Sequence, residues 1–497
     1  MTNAGDGSLL PTGIPGLDDT LHGGLESERL YLIEGDPGSG KTTLALQFLL
    51  EGARRGESVL HLTMSESMNE LESTFRSHGW SMEGLNIVEL NVSEGEAGPE
   101  EQYTMFHSSE VELSSLIRRI LEEVDRIGAR RLVIDSLAEL RLVAQNPLWY
   151  RRQILALKQH FSTRRCTALL LDESGETLGF NVRTVAHGVL SLSRILPGFG
   201  AERRQLQILK MRGRSYQGGY HDYLIKQGGL QIFPRLVALE HQRNFTRDPI
   251  KSGVAALDAL LGGGIDRGTS TLLTGAAGTG KSSLATLYAF SAVGRGENVA
   301  FFHFDESREN FLTRSRGLGM DFVPFLTSGQ ASSQQIDPAE LSPGEFSASV
   351  RQAAERNNAR LIIIDSLNGY LNAMPEERFL VTQLHELLTY LGQMGVSTLL
   401  IVAQHGLVGP ETSAPVDVSY LSDTIILMRY FEIHGEVRQA ISVMKKRTGP
   451  HERTIREMKI TSGGIHIGEP LHQFQGVLQG IPIFRGGEGP LMDSNVD

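Results

Sequence analysis

The stretch Gly35-Asp36-Pro37-Gly38-Ser39-Gly40-Lys41-Thr42 decides how this sequence is interpreted, because it has a second copy at Gly275-Ala276-Ala277-Gly278-Thr279-Gly280-Lys281-Ser282. Each copy follows an aliphatic run that predicts a buried β-strand. Each also opens a segment in which apolar residues recur at helical spacing. A strand, a glycine-rich loop and a helix in this order distinguish a phosphate-binding loop (P-loop) from a chance match. We therefore predict two nucleoside triphosphate sites.

The residue types in these loops suit phosphate and magnesium. Glycines let successive backbone N–H groups turn inward around an anion, and the following helix N-terminus adds a partial positive charge. The lysine reaches the outer phosphates, and the hydroxyl of Thr42 or Ser282 is suited to bind Mg²⁺. The predicted nucleotide-binding residues of the loops are Gly38, Ser39, Gly40, Lys41, Thr42, Thr43, Gly278, Thr279, Gly280, Lys281, Ser282 and Ser283.

Composition narrows the class of protein. The chain has 497 residues, of which 40% are hydrophobic and 21% are charged, as is typical of globular proteins with two or three domains. A formal net charge of −11 argues against a general nucleic-acid-binding protein, although a local basic channel stays open. No stretch has the ~20 apolar residues needed to span a bilayer, and the first residues do not resemble a signal peptide. We expect a cytoplasmic protein that binds neither membranes nor nucleic acid.

The repetition extends beyond the two loops. Three further pairs of motifs recur: Thr12–Asp18 with Ser252–Asp258, Ser65–Ser67 with Asp305–Ser307, and Ile134–Leu137 with Ile364–Leu367. The loop lysines are 240 residues apart (281 − 41), but the third pair is 230 apart (364 − 134), so the first half carries a longer intervening loop. A repeat of this size indicates a duplicated domain. We predict domains at residues 1–243 and 244–485 and a disordered tail at 486–497.

Strands and helices alternate within each half. Apolar runs predict strands at about 29–34, 58–63, 131–135 and 166–172, and again at about 269–274, 298–304, 360–365 and 397–403. This alternation is typical of right-handed β–α–β units in a parallel sheet, and continuous apolar strands indicate that both faces are buried. The predicted fold class is α/β, with two tandem RecA-like P-loop NTPase domains, each a mostly parallel sheet with helices on both faces.

One aspartate in each half ends an aliphatic strand. Asp135 and Asp365 should therefore lie at the carboxyl edge of the sheet beside the phosphates, where a carboxylate anchors Mg²⁺. The metal-binding residues predicted from the sequence are thus Thr42, Asp135, Ser282 and Asp365. The alternative is that each aspartate only caps the following helix.

In each half a glutamate follows the predicted strand that comes directly after the P-loop helix. Glu66 and Glu306 each lie 25 residues after the P-loop lysine (66 − 41; 306 − 281), where a carboxylate can face the γ-phosphate and activate water. The alternative is a helix N-cap, since Ser67 and Ser307 follow and helices are predicted to begin there.

Two basic pairs lie on late predicted strands. Lys210 with Arg212, and Lys445 with Arg447, are spaced so that both cations share one strand face. Such a pair suits a phosphate and could reach the nucleotide of a neighbouring subunit. An ordinary solvated basic strand is the alternative.

With these residues in hand, the sequence resembles the KaiC family, ATPases of the cyanobacterial circadian clock and their bacterial and archaeal relatives. The resemblance covers about residues 8–485. Besides the doubled P-loops it rests on specific motifs: His78-Gly79-Trp80, Leu318–Asp321, Lys210–Gly213 followed by Ser215, Gly229–Pro234, Ser422–Leu427, Ile455–Glu457 and Phe474–Pro482.

The resemblance implies a double-ring homohexamer with ATP bound between subunits, a slow ATPase in the first ring and an autokinase in the second. The family carries two adjacent glutamates after the second strand, where this chain has Ser65-Glu66 and Asp305-Glu306. The resemblance thus makes Glu66 the group that activates water. It makes Asp305 and Glu306 the groups that deprotonate a hydroxyl.

The family's phosphoacceptors are a neighbouring serine and threonine shortly before the strand that here begins near Thr424. The matching residues are Ser419 and Tyr420, so tyrosine replaces the threonine and Ser419 is the favoured acceptor. A turn residue entering a strand is the alternative for Ser419. The resemblance also suggests a KaiB-like partner or an output signalling protein.

The sequence thus predicts a Mg²⁺-dependent ATPase with serine/threonine autokinase activity in a timing or signalling hexamer. Two other functions stay open. A RecA-type DNA-dependent ATPase shares the fold, but the acidic charge disfavours it. A scaffold ring that uses ATP only for assembly is disfavoured by two complete sets of catalytic groups.

Overall fold

The computed structural model describes residues 8–90, 108–144, 146–175, 182–198, 200–238, 242–372, 380–404, 419–479 and 482–484. The predicted tail at 486–497 lies outside these ranges. The chain divides into two compact units, Met1–Arg235 and Leu236–Asp497. No helix within the described ranges is long and apolar enough to cross a membrane.

The first unit contains most of its strands around the predicted positions. Its strands are β1 (Leu9–Leu10), β2 (Leu25–Glu26), β3 (Leu30–Gly35), β4 (Val59–Thr63), β5 (Asn86–Glu89), β6 (Arg131–Asp135), β7 (Thr167–Glu173), β8 (Gly188–Ile195), β9 (Arg203–Met211), β10 (Tyr220–Lys226) and β11 (Gly229–Phe233). Its helices are α1 (Leu17–Thr20), α2 (Lys41–Arg54), α3 (Met68–His78), α4 (Ser108–Ile127), α5 (Leu137–Ala144) and α6 (Pro147–Thr163).

The second unit repeats this order with small changes. Its strands are β12 (Ser270–Gly275), β13 (Asn298–His303), β14 (Ala331–Gln335), β15 (Ala359–Asp365), β16 (Ser397–Ala403), β17 (Thr424–Ile433), β18 (Glu436–Lys446), β19 (Arg456–Thr461), β20 (Gly464–Pro470), β21 (Phe474–Gln475) and β22 (Ile483–Phe484). Its helices are α7 (Ala255–Leu260), α8 (Lys281–Gly294), α9 (Arg308–Gly317), α10 (Val323–Ser328), α11 (Pro343–Glu355), α12 (Leu367–Asn372) and α13 (Leu380–Gln393).

Each unit is built around one nine-stranded sheet. The order in the first unit is β11-β10-β9-β8-β3-β7-β6-β4-β5, and in the second it is β20-β19-β18-β17-β12-β16-β15-β13-β14. The last six strands of each order run parallel, and the first three form an antiparallel ribbon on one edge. The P-loop strand, β3 or β12, is therefore central.

Apolar side chains cover both faces of each sheet. In the first unit Leu44 and Phe48 of α2 pack on one face, and residues of α4, α5 and α6 pack on the other. The second unit has the same layers, with α8 on one face and α11 and α13 on the other. The predicted fold class, two tandem RecA-like α/β domains, is confirmed.

Serine side chains cap the helices that follow β4 in the first unit and β13 in the second. Ser67 is the N-cap of α3, and its backbone N–H donates to the Glu70 carboxylate at 2.8 Å. Ser307 is the N-cap of α9, and its Oγ accepts from the Asn310 N–H at 3.2 Å. Because these serines satisfy the first turn, the preceding glutamates are not needed as caps.

Candidate functional site

The two P-loops close around their own lysines. Lys41 Nζ donates to the Gly35 carbonyl at 2.7 Å, and Lys281 Nζ donates to the Gly275 and Ala276 carbonyls at 2.9 and 2.7 Å. Burial lowers the pKa of Lys281 to about 8 and also lowers the pKa of Lys41. Lys281 is buried and Lys41 is partly buried beneath loop tips that are themselves exposed at residues 36–38 and 277–278, so phosphate oxygens could replace the carbonyls.

The glycine before each P-loop helix is required by backbone and packing together. Gly40 and Gly280 are the N-caps of α2 and α8, with φ of 93° and 95°. A Cβ on Gly40 would lie 2.5 Å from Ile225 Cδ1, and one on Gly280 would lie 2.3 Å from Ile460 Cδ1. Residues with a side chain rarely adopt this φ, so only glycine keeps the helix start in place.

A hydroxyl and a carboxylate meet beside each loop. Thr42 Oγ1 donates to Asp135 Oδ2 at 2.7 Å, and Ser282 and Asp365 make the equivalent side-chain hydrogen bond. Burial raises the pKa of Asp135, and it raises the pKa of Asp365 to about 6. The donor set of one hydroxyl and one carboxylate next to a phosphate cradle fits Mg²⁺, which prefers oxygen ligands and few protein groups.

The two candidate glutamates have different neighbours. The Thr63 hydroxyl accepts from the Glu66 N–H at 3.0 Å and donates to the Glu66 carbonyl at 2.9 Å, which fixes the turn. The Oε2 atom of Glu66 is buried and has no hydrogen-bond partner among the described residues. Burial, with smaller contributions from Asp135 and Glu70, raises the pKa of Glu66 to about 7. Such a carboxyl is suited to accept a proton near neutral pH.

Glu306 is held by an ion pair that Glu66 does not have in the part of the first unit that the structure describes. Arg314 on α9 donates from Nε to Oε1 at 2.9 Å and from Nη2 to Oε2 at 2.8 Å, and its Nη1 donates to Thr286 Oγ1 at 3.1 Å. The neighbouring Asp305 accepts a short hydrogen bond from the Ser366 hydroxyl. Both predicted acids of the second unit are therefore occupied by groups of their own unit.

The basic pairs lie toward the amino-terminal ends of the parallel strands, whereas the P-loops follow the carboxyl ends of β3 and β12. In the first unit Lys210 on β9 pairs with Val189, which pairs with Leu32, whereas the P-loop begins at Gly35. Lys210 Nζ donates to the Arg183 and Ala186 carbonyls at 2.6 and 2.7 Å. Arg212 Nη2 donates to the Thr184 carbonyl at 2.8 Å.

The second unit repeats this arrangement around the candidate acceptors. Lys445 Nζ donates to the Ser419 and Ser422 carbonyls at 2.9 and 2.7 Å, and Arg447 Nη2 donates to the Tyr420 carbonyl at 3.0 Å. Ser419 and Tyr420 begin a short 3₁₀ turn, and both are exposed. The structure thus brings the predicted cations and acceptors together, and separates them from the P-loop of their own unit.

Sequence reasoning missed the residues that cover the loops. A Cβ on Gly38 would lie 3.4 Å from Arg194 Nη1, whereas one on Gly278 would lie 2.6 Å from the Tyr430 hydroxyl. Arg194 and Tyr430 are 236 residues apart (430 − 194), close to the offset of the late basic pairs, so aligning the halves could have found them. Arg314 and His303 were also missed, because their counterparts Thr74 and Thr63 share no chemistry with them.

Comparison with known proteins agrees with the geometry. A family model described as the ATPase KaiC matches residues 10–237 and again residues 250–472. The circadian clock protein KaiC3 of Synechocystis sp. is 31% identical over 486 residues, with 96% of this chain and 94% of that protein covered. The circadian clock oscillator protein KaiC of Synechococcus elongatus is 30% identical, with 95% and 91% covered. The family model spans most of both units, and this chain therefore belongs to the KaiC family of ATPases.

Proposed function

We propose that this KaiC-family ATPase depends on Mg²⁺, assembles as a double-ring homohexamer, and phosphorylates Ser419 of a neighbouring subunit from the second-unit nucleotide site. The observation that carries the proposal is the position of Ser419. It lies just before β17, whose first residue Thr424 pairs with Thr271, whereas the P-loop begins after Gly275. Four residues of strand separate the two edges by roughly 13 Å.

This separation supports transfer between chains over transfer within a chain. Ser419 cannot reach a phosphate at the P-loop of its own unit while the sheet stays intact. In a ring, subunits associate head to tail, so one edge of each unit faces the opposite edge of its neighbour. Ser419, Lys445 and Arg447 would then face a neighbouring P-loop together, with the cations available to neutralise the γ-phosphate.

Hydrolysis in the first unit requires a base and a phosphate site. Lys41 would bind the β- and γ-phosphates, and Thr42 with Asp135 would hold Mg²⁺, which neutralises charge on the phosphates. Glu66 would take a proton from water as the water oxygen attacks the γ-phosphorus and the bond to the β–γ bridging oxygen breaks. Its raised pKa supports this role because the carboxylate can accept a proton near neutral pH.

Phosphoryl transfer in the second unit uses a hydroxyl in place of water. The Ser419 oxygen of the neighbouring subunit would attack the γ-phosphorus, its proton would pass to Asp305 or Glu306, and ADP would leave. Glu306 first has to share or exchange its contacts with Arg314, and Asp305 its contact with Ser366. These contacts support a hydroxyl-specific use of the second site, because they occupy the acids until an acceptor arrives.

Incorporation of labelled phosphate from ATP tests the acceptor. Ser419→Ala should abolish incorporation, whereas Ser462→Ala, which changes another exposed serine of the same unit, should not alter it. Tyr420→Phe tests the neighbouring hydroxyl in the same way. Wild-type incorporation into the Ser419→Ala protein would contradict the proposal.

A mixing experiment tests transfer between chains. Lys281→Ala subunits lack the lysine that binds ATP phosphates in the second unit, and Ser419→Ala subunits lack the acceptor. Neither variant alone should incorporate label. Mixed and reassembled together, they should label the Lys281→Ala chain, which mass spectrometry separates by mass. Label on neither chain in mixed hexamers would exclude transfer in trans.

A KaiB-like partner or an output signalling protein belongs to the same proposal and rests on the names of the relatives. DNA-stimulated hydrolysis would instead favour a RecA-type function. Ring assembly without measurable ADP release would favour a scaffold.

A further inference from the structure

A histidine and two carboxylates meet beside the second P-loop. His303 ends β13, Asp365 ends β15, and the two residues are register partners in neighbouring parallel strands. Glu306 lies three residues after His303. One ligand atom from each of these three residues lies within 4.8 Å of the other two.

His303 is the unusual member of this cluster, because its polar atoms are buried without partners. The residue is 1% exposed, and neither ring nitrogen has a hydrogen-bond partner among the described residues. Its Nδ1 lies 4.0 Å from Glu306 Oε2, which is too long for a hydrogen bond. Buried polar groups in proteins are almost always satisfied. His303, unlike the similarly unpartnered His61, lies beside two carboxylates with which it could complete a ligand site.

Aromatic packing fixes the orientation of the ring. The imidazole stacks on Phe301 with an interplanar angle of 8° and a centroid distance of 5.6 Å, and it contacts Phe311 at 4.8 Å. Because Phe301 and Phe311 both pack against the imidazole, its Nδ1 stays directed toward Glu306.

Among its described residues, the first unit has no equivalent set of ligands. Thr63 occupies the position of His303, 240 residues earlier (303 − 63), and its hydroxyl is satisfied by the backbone of Glu66. Glu66 and Asp135 match the two carboxylates, so the imidazole is the only one of the three ligand groups that is particular to the second cluster.

We infer that His303, Glu306 and Asp365 bind a divalent transition-metal ion, such as Mn²⁺ or Zn²⁺, beside the second P-loop. One imidazole nitrogen and two carboxylate oxygens form a mixed donor set of the kind that these ions accept. Mg²⁺ prefers oxygen donors and would gain little from the imidazole. The inference goes beyond the proposed kinase activity, since binding requires neither nucleotide nor Ser419.

Arg314 affects this site through its charge. Its Nη2 donates to Glu306 Oε2 at 2.8 Å. A carboxylate oxygen can accept a hydrogen bond and still bind a cation, but the guanidinium repels the ion. The affinity of the site is therefore set by the ion pair as well as by the three ligands.

Mn²⁺ titration of the nucleotide-free full-length protein tests the inference, with free Mn²⁺ measured by electron paramagnetic resonance in excess Mg²⁺. His303→Phe keeps the aromatic packing and removes the nitrogens. The His303→Phe protein should bind one Mn²⁺ fewer per chain, or bind it at least about tenfold more weakly. The matched control is His61→Phe, because His61 is also a buried histidine, has no hydrogen-bond partner within the described ranges, and is replaced by Phe301 in the second unit.

Two further variants keep the test decisive. His303→Ala should show the same loss without an aromatic ring that could disturb packing. Binding of two Mg-ATP per chain by either variant, one in each unit, shows that the second unit is folded. Arg314→Gln should tighten Mn²⁺ binding, and Zn²⁺ should displace the bound Mn²⁺. Unchanged Mn²⁺ affinity in folded His303→Phe protein, or no tightening in Arg314→Gln protein, would overturn the site.

Discussion

In the first unit the Glu66 carboxylate has a buried oxygen that no described residue binds, whereas in the second unit the Glu306 carboxylate is held at both oxygens by Arg314. Arg314 on α9 corresponds to Thr74 on α3, 240 residues earlier (314 − 74). The duplicated sheet keeps the P-loop lysine, the hydroxyl after it and the aspartate that ends β6 or β15 in both units. The residues beside the glutamate have changed, and they determine what its carboxylate can accept.

The two units also differ around their late basic pairs, which lie away from the P-loops. Lys210 binds the carbonyls of Arg183 and Ala186, and Lys445 binds those of Ser419 and Ser422, so Arg183 and Ser419 are structural counterparts. Arg183 is committed to Glu34 through two contacts of 2.6 and 2.7 Å. At this position the first unit presents a paired cation where the second presents a hydroxyl.

Replacing the glutamate should give the largest difference in ATP hydrolysis between the two units. Glu66→Gln should lower steady-state ATP hydrolysis by about a hundredfold, the size expected for loss of a general base, and leave ATP binding intact. Glu306→Gln should change hydrolysis much less. Colorimetric phosphate release and equilibrium binding of labelled ATP measure both quantities. Glu70→Gln, which weakens the cap of α3 and removes only one of the smaller contributions to the pKa of Glu66, is the control for Glu66.

Equal losses in the two glutamine variants would show that the units hydrolyse ATP alike, and unchanged turnover in Glu66→Gln protein would assign the base elsewhere.

Exchanging the neighbour of the glutamate should have an intermediate effect. Thr74→Arg places a guanidinium beside Glu66, which should lower its raised pKa by one unit or more and reduce hydrolysis by about tenfold. Arg314→Thr frees the oxygens of Glu306 and should raise hydrolysis in the second unit. The rates are best read in Lys281→Ala and Lys41→Ala backgrounds, which leave one working site each. If Thr74→Arg protein hydrolyses ATP at the wild-type rate, the ion pair does not explain the divergence.

The pH dependence should give the smallest difference. A base must be deprotonated to act, and the pKa of Glu66 is about 7. Hydrolysis by the first unit should therefore fall by about fivefold between pH 7 and pH 6, as the carboxylate is protonated. The Lys281→Ala protein reports this profile, and its Glu66→Gln derivative should lose the step near pH 7. A midpoint near pH 4.5, the ordinary value for a glutamate, would contradict the burial of this carboxyl.

Much of the frame could be predicted from local sequence. The 240-residue offset, the glycine loops and the aliphatic runs ending in Asp135 and Asp365 determine strand order near the site, because parallel strands bring their carboxyl ends to one edge. The antiparallel ribbon was only partly predicted. Its pairing register, which places Lys210 away from Gly35, depends on contacts between strands that are distant in sequence.

The divergence between the sites could not be predicted, for two physical reasons. The ion pair of Arg314 with Glu306 joins a helix to a turn, and a spacing of eight residues (314 − 306) does not by itself place an arginine beside an acid. His303 lies in an apolar run, where a single histidine usually indicates a packed core residue. Its proximity to Asp365 appears only when β13 and β15 are paired.

The glycines that begin α2 and α8 have a consequence for comparing related sequences. Gly40 and Gly280 are fixed by a left-handed backbone and by the isoleucine of the ribbon packed against each of them. Selection for a stable fold alone would therefore preserve them, even in a descendant whose site had stopped binding ATP. An intact glycine loop records the integrity of the domain. The evolutionary loss or gain of chemistry is better traced through Thr74, Arg314 and the residues that touch the glutamates.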